Sequence, residues 1–523
     1  MSVVGLLALV IVSQVPPLYL SARPTDSLRV EQEAILSDEA ENLKALAERL
    51  ASTGDRDAAA EVRRDLPPPL DRSGAERFLP LPEVVAARGS RPGLPNVPVG
   101  AKAVSGWKAE RAAIRVGSAE ALFALAKRAA ALVPRDLALA DAWLRAVIAR
   151  QPDHLEARRL LGYVPYDGGW ATPYAVQQFK AGKTFHPVYG WVSADWVPHL
   201  EKGELPARGR VNRQGQGLWI PAEQADAQRQ DYRSGWSIRT EHFLIRANVA
   251  LSEAITFGHH LETLHELFGA LLADVLGDNL PLAQRFKNPS MVGEKASDPH
   301  LVSYFAEKEQ FVEFLRTSEG DGIKGSLGLY LPAKTSRAKR GHAYFYRDMG
   351  QGELPITATL YHEVSHQLLF ESGVAGARDY LKNVGNFWVF EGLGTYFETL
   401  AILPDGVAKI GGLADARNRE ARKTFARPEA LIPLSRFVRM DQVTFKADHG
   451  GNVYLNYQEA IALTTFLMHG HDGAYREGFL DYVRDACRGK LGHGARSLEE
   501  RVGKPYEAIQ AELLGFLKTD SSH

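Results

Sequence analysis

His362-Glu363-Val364-Ser365-His366 is the stretch from which the rest of this chain is read. On an α-helix, residues four apart lie on one face, so both imidazoles can reach a single metal ion while Glu363 projects beside them. The helix itself is predicted by its surroundings, because Ile356 to Phe370 contains neither Gly nor Pro after Pro355, enough for about four turns. A single cysteine, Cys487, excludes a site built on several thiolates and an internal disulfide framework. Any metal here must be held by His and carboxylate.

Two histidines leave an open zinc site one protein ligand short. Glu371 lies five residues beyond His366, pointing well away from the histidine face if the helix continues. Glu391 is the better donor. It sits in Phe387-Trp388-Val389-Phe390-Glu391-Gly392-Leu393-Gly394-Thr395-Tyr396-Phe397-Glu398, where an acid follows an aromatic run and small residues permit close helix approach. Glu398, seven residues on, shares its face.

With these two segments the chain resembles the gluzincin metallopeptidases of the MA clan. The pattern Trp-x-x-Glu-Gly-x-x-x-Tyr-Phe-Glu at 388–398 looks especially like an uncharacterised bacterial family of peptidase-MA-like domains, which often has Ala where Gly394 stands here. The resemblance covers roughly 236–518, with its specific motifs at 361–367 and 388–398. It implies a zincin-like domain binding one zinc ion through His362, His366 and Glu391, with Glu363 as the base that activates water for peptide-bond hydrolysis. It also implies a downstream oxyanion donor, for which Tyr457 is favoured over Tyr454 and His449, and an edge strand at 342–346 along which an extended substrate pairs. One departure bears on Glu391: 24 residues separate it from His366. The connection from Glu371 to Asn386, with Gly373, Gly376 and Gly385, must loop out for the second helix to meet the first.

Outward from the motif, 523 residues with 45% hydrophobic content imply two or three domains. A formal charge of -1 offers no footprint for nucleic acid or anionic lipid. Val3 to Val12 reads as a signal-peptide core within residues 1–22, predicting an extracytoplasmic protein, although no Lys or Arg precedes Arg23. An uncleaved membrane anchor, or a buried helix in a cytoplasmic protein, are the alternatives. Residues 23–100 read as helix, with Leu43, Leu46 and Leu50 at helical spacing, followed by a stretch crowded with Pro67 to Pro69, Pro92, Pro95 and Pro98.

Residues 101–235 read as a tetratricopeptide-like helical hairpin over 119–161, then a small module in which segments around Trp170, Trp191 and Trp219 form short strands. The N-terminal helices are a candidate surface for a protein partner and a candidate inhibitory segment. Residues 236–518 form the metallopeptidase-like domain, opened by a strand at 236–247. The helix after it carries His259, His260, Glu262 and His265 without an i, i+4 histidine pair flanking an acid, and reads as a solvated or core-edge face. The expected fold is α+β, with a short sheet beside the histidine helix and a helical C-terminal half. The reading competing with a peptidase is a zinc-binding, non-catalytic envelope scaffold; a helical adaptor with an accidental motif is a third class.

Overall fold

The computed structural model describes residues 24–66, 76–86, 106–133, 135–211, 217–291, 298–333, 340–347, 356–372, 385–404, 406–447, 453–491 and 495–518. The signal-like segment 1–22, the prolines at 67–69, 92, 95 and 98, His449, and Gly373 and Gly376 lie outside them. The fold is α+β, dominated by helices, with five small sheets among the described residues. None of the described helices is long and apolar enough to cross a membrane.

The N-terminal helices assemble by their apolar stripes. α1 (Pro24–Ser52) buries Leu43, Leu46 and Leu50 against Ala58, Ala59 and Val62 of α2 (Arg56–Arg63), which begins where Asp55 accepts the Ala58 N–H at 3.1 Å. α3 (Trp107–Ala131) and α4 (Leu137–Arg150) form the expected hairpin, with Leu122, Leu125 and Ala129 facing Trp143, Leu144 and Val147. Leu28 of α1 is buried in that same cluster, while Trp107 and Ile114 of α3 pack on the α1/α2 core. Helices on either side of the Pro-rich stretch therefore share their cores.

The tryptophan segments are short strands. Gly169–Ala171 pairs with Val84–Val85 and Val164–Tyr166, Gly190–Ser193 with Lys183–His186, and Gly217–Pro221 with Glu204–Val211. Trp170 is buried; Trp219 is half-buried and stacks on His199 with ring centroids 4.0 Å apart. Glu76–Phe78 pairs antiparallel with Ala408–Ile410, and Glu76 meets Arg476 at 2.8 Å, which joins the N-terminal region to the C-terminal half.

A five-stranded mixed sheet supports the histidine helix. Its strands are β1 (Trp236–Arg239), β2 (Phe243–Ala247), β3 (His300–Phe305), β4 (Gly328–Leu331) and β5 (His342–Tyr346), in the order β4-β5-β3-β2-β1. β2, β3 and β5 run parallel, and β1 and β4 are antiparallel to their neighbours. α5 (Leu251–Leu271) and α6 (Ile356–Glu371) share the large core with the sheet through Leu261, Leu264, Val364 and Leu368 against Phe243, Ile245, Val302 and Phe345.

The edge strand is not where the resemblance implied. β5, at 342–346, is paired on both sides, and among the described residues the outer strands of the sheet are β4, next to it, and β1. The alternation of His342, Tyr344 and Tyr346 with Ala343 and Phe345 marks a strand but says nothing about its neighbours. β4 covers β5 at close range because Gly328 has no side chain: a Cβ there would stand 2.8 Å from Thr359 Cγ2 and 3.0 Å from the Phe345 ring.

Candidate metal centre

α6 buries Tyr361, Val364, Leu368 and Leu369 in the core and thereby turns the opposite stripe, His362 and His366, toward α7 (Trp388–Phe397). Every residue of α7 is buried, which its aromatic run allows: Trp388 packs among Phe437, Phe479 and Tyr482. Two glycines let this helix pass between its neighbours. A Cβ on Gly392 would collide with Thr464 Oγ1 and stand 3.1 Å from the Ala460 carbonyl of α9 (Val453–Gly473), and one on Gly394 would stand 2.7 Å from His362 Cε1. An Ala at position 394 would press on the imidazole.

Across the 24 residues between His366 and Glu391, three donors converge. His362 Nε2 and His366 Nε2 are 3.1 Å apart, and Glu391 Oε2 lies 3.3 and 3.8 Å from them. Ligands about 2.0–2.1 Å from a tetrahedral zinc stand roughly 3.3 Å from one another, so these separations match a single ion. Glu391 also sits in the first turn of α7, where the helix dipole favours a carboxylate. Burial pushes its carboxyl up, but hydrogen bonds and charge from His362 and His366 prevail and hold it far below the ordinary range.

A second carboxylate orients the site. Glu398 Oε1 is 2.7 Å from His362 Nδ1, and its other oxygen accepts from Arg417 Nε at 2.5 Å, on α8 (Ala416–Thr424). Burial depresses the His362 imidazole, yet the carboxylates of Glu391 and Glu398 against its two nitrogens outweigh that and leave it well above the usual histidine range. Glu363 is half-buried, contributes to the negative field on His362, and accepts the backbone N–H of Tyr330 on β4 at 3.0 Å.

Tyr457, on α9, lies beside the Glu391 carboxylate. Burial and the charges of Glu391, Glu363 and Glu398 push its phenol far above the tyrosine range, so it is a neutral donor at physiological pH. Tyr454 is exposed and bonds Glu420 instead. Glu371, as its spacing suggested, points elsewhere, toward His300, Arg340 and the Gly341 N–H.

The structure thus brings together His362, Glu363, His366, Glu391 and Tyr457. Sequence reasoning assigned no role to Glu398, although its seven-residue offset from Glu391 was a usable signal. Arg417 and the Tyr330 N–H carried none, because both arrive from distant parts of the chain.

A family model described as "Protein of unknown function (DUF1570)" matches residues 356–490, a span that contains α6, α7, Glu398, Arg417 and Tyr457. No curated protein matches the chain.

Proposed function

We infer that this chain is a zinc-dependent peptidase in which Glu363 is the general base. The observation that carries this reading is the convergence of His362 Nε2, His366 Nε2 and Glu391 Oε2 at separations of 3.1 to 3.8 Å, with Glu398 behind the first ring. Two imidazoles and one carboxylate, with no thiolate, form a donor set of the open, catalytic kind. When bound there, zinc supplies a Lewis acid that acidifies a coordinated water and polarises the scissile carbonyl.

The chain's own residues divide the remaining work. Glu363, next to His362 in sequence, takes a proton from the attacking water and returns one to the leaving amine. The neutral phenol of Tyr457 donates to the oxyanion as it develops. Of the two outer strands, β4 rather than β1 is the one to which an extended peptide adds, since Glu363 is bonded to β4 at Tyr330.

Cleavage of a mixed peptide library by the wild type and by Glu363→Gln, with zinc content measured on both, tests this function. Cleavage by the wild type and its loss in Glu363→Gln at unchanged zinc is the expected result. Zinc retained with cleavage by neither protein would replace the peptidase with the non-catalytic scaffold.

A further inference from the structure

A cavity of about 1650 Å³ is lined by residues of the N-terminal region, of α5 and of the ends of the sheet strands, among them Glu83, His242, His259, Glu262 and His265. None of these belongs to the His362 centre. His242 comes from the turn between β1 and β2; Glu262 and His265 are three residues apart on α5, neighbours on one helix surface. The helix by itself has no i, i+4 histidine pair, and its polar residues read as a solvated or core-edge face. His242 changes that by adding a second imidazole from outside the helix.

One donor atom from each of His242, Glu262 and His265 lies within 4.8 Å of the other two. Glu262 accepts the His242 backbone N–H at 2.8 Å, and its other oxygen is 2.6 Å from His242 Nδ1. The His265 ring stacks on the His242 ring with centroids 3.8 Å and planes 17° apart. The backbone bond alone would suffice to tie down the turn; it does not account for a second imidazole stacked on the first beside the same carboxylate. Two imidazoles and a carboxylate suit a borderline divalent cation such as zinc, and the cavity provides an entry path.

We propose that His242, Glu262 and His265 form a second zinc-class metal site that fastens the β1–β2 turn to α5, with the fourth coordination position facing the cavity. Binding turns the stacked rings about χ2, a broad and soft torsion for histidine, to aim one nitrogen of each at the ion. This site is independent of the His362 centre and does not rest on its chemistry.

Zinc per chain, measured by elemental analysis of the full-length protein after zinc loading and gel filtration, tests the proposal. Two ions are expected for the wild type, one each for His366→Ala, His265→Ala and Glu262→Gln, and none for His366→Ala/His265→Ala. A second readout guards against misfolding of the His265 variant: in His366→Ala, zinc addition still raises the thermal midpoint, and adding Glu262→Gln abolishes that rise. One ion in the wild type that disappears in His366→Ala, or wild-type zinc content in both His265→Ala and Glu262→Gln, would overturn the second site. One ion in the wild type that survives His366→Ala and is lost in Glu262→Gln would uphold it while refuting metal binding at the His362 centre.

Discussion

Glu398 holds His362 from behind: its Oε1 lies 2.7 Å from Nδ1, on the far side of the ring from the Nε2 that faces Glu391. This selects the tautomer whose Nε2 lone pair is available to a cation, and Arg417 in turn holds Glu398. Glu398→Gln is therefore expected to weaken zinc binding by about 10- to 100-fold, measured by competition against a chromogenic chelator. Arg417→Met should lose less, in the same direction. An unchanged dissociation constant in Glu398→Gln would remove Glu398 from the site.

Tyr457 is placed to donate a hydrogen bond, so its loss should appear in the chemical step. Tyr457→Phe is predicted to keep its zinc and its KM while kcat falls by about 10²-fold or more, the usual cost of one oxyanion donor. Steady-state kinetics on a peptide identified in the library would decide, and an unaltered kcat would assign this tyrosine to packing.

The two glycines of α7 predict different failures. At Gly392 a Cβ meets Thr464 and the Ala460 carbonyl, so Gly392→Ala should destabilise the fold by about 1–3 kcal/mol through overpacking, read by urea denaturation. At Gly394 the Cβ meets the His362 ring, so Gly394→Ala should weaken zinc binding more than it lowers stability. Equal zinc affinity in Gly394→Ala and wild type would mean that α7 shifts to make room.

Glu459, on α9, is nearly fully buried, and burial raises its carboxyl to about 8 despite the Ile432 N–H that it accepts at 3.0 Å. The unfolded chain gives up this proton near pH 4.3. Between those values the folded state binds more protons than the unfolded one, so the contribution of Glu459 to stability falls as pH rises from about 4.3 toward 8. Glu459→Gln keeps an acceptor for Ile432 and removes the titration. Its stability relative to wild type should be greater at pH 8 than at pH 5 by more than about 2 kcal/mol, measured as paired unfolding free energies. A difference that stays constant with pH would place the carboxyl in a wetter site.

Much of the candidate metal centre was legible because its geometry is local. The periodicity of a helix puts His362 and His366 on one face whatever surrounds them, and the aromatic run before Glu391 with glycines after it describes a helix meant to be buried at close range. Strand alternation at 342–346 was equally legible, yet the edge was misplaced, since a strand's own residues do not identify which segment will pair with it. α5 shows the same limit: its histidines carried no ligand signal until His242, from another element, came to lie against them.

By itself the sequence determined the α+β class, the histidine helix and the nature of its donors, all consequences of residue type and short-range spacing. Only the tertiary structure decided that Glu391 meets the two histidines across 24 intervening residues, that Glu398 and Arg417 stand behind them, that β4 and not β5 is an outer strand, and that a second group of donors gathers at His242. Those outcomes depend on contacts between segments far apart in the chain, which form when buried apolar faces and missing glycine side chains set how closely the elements approach.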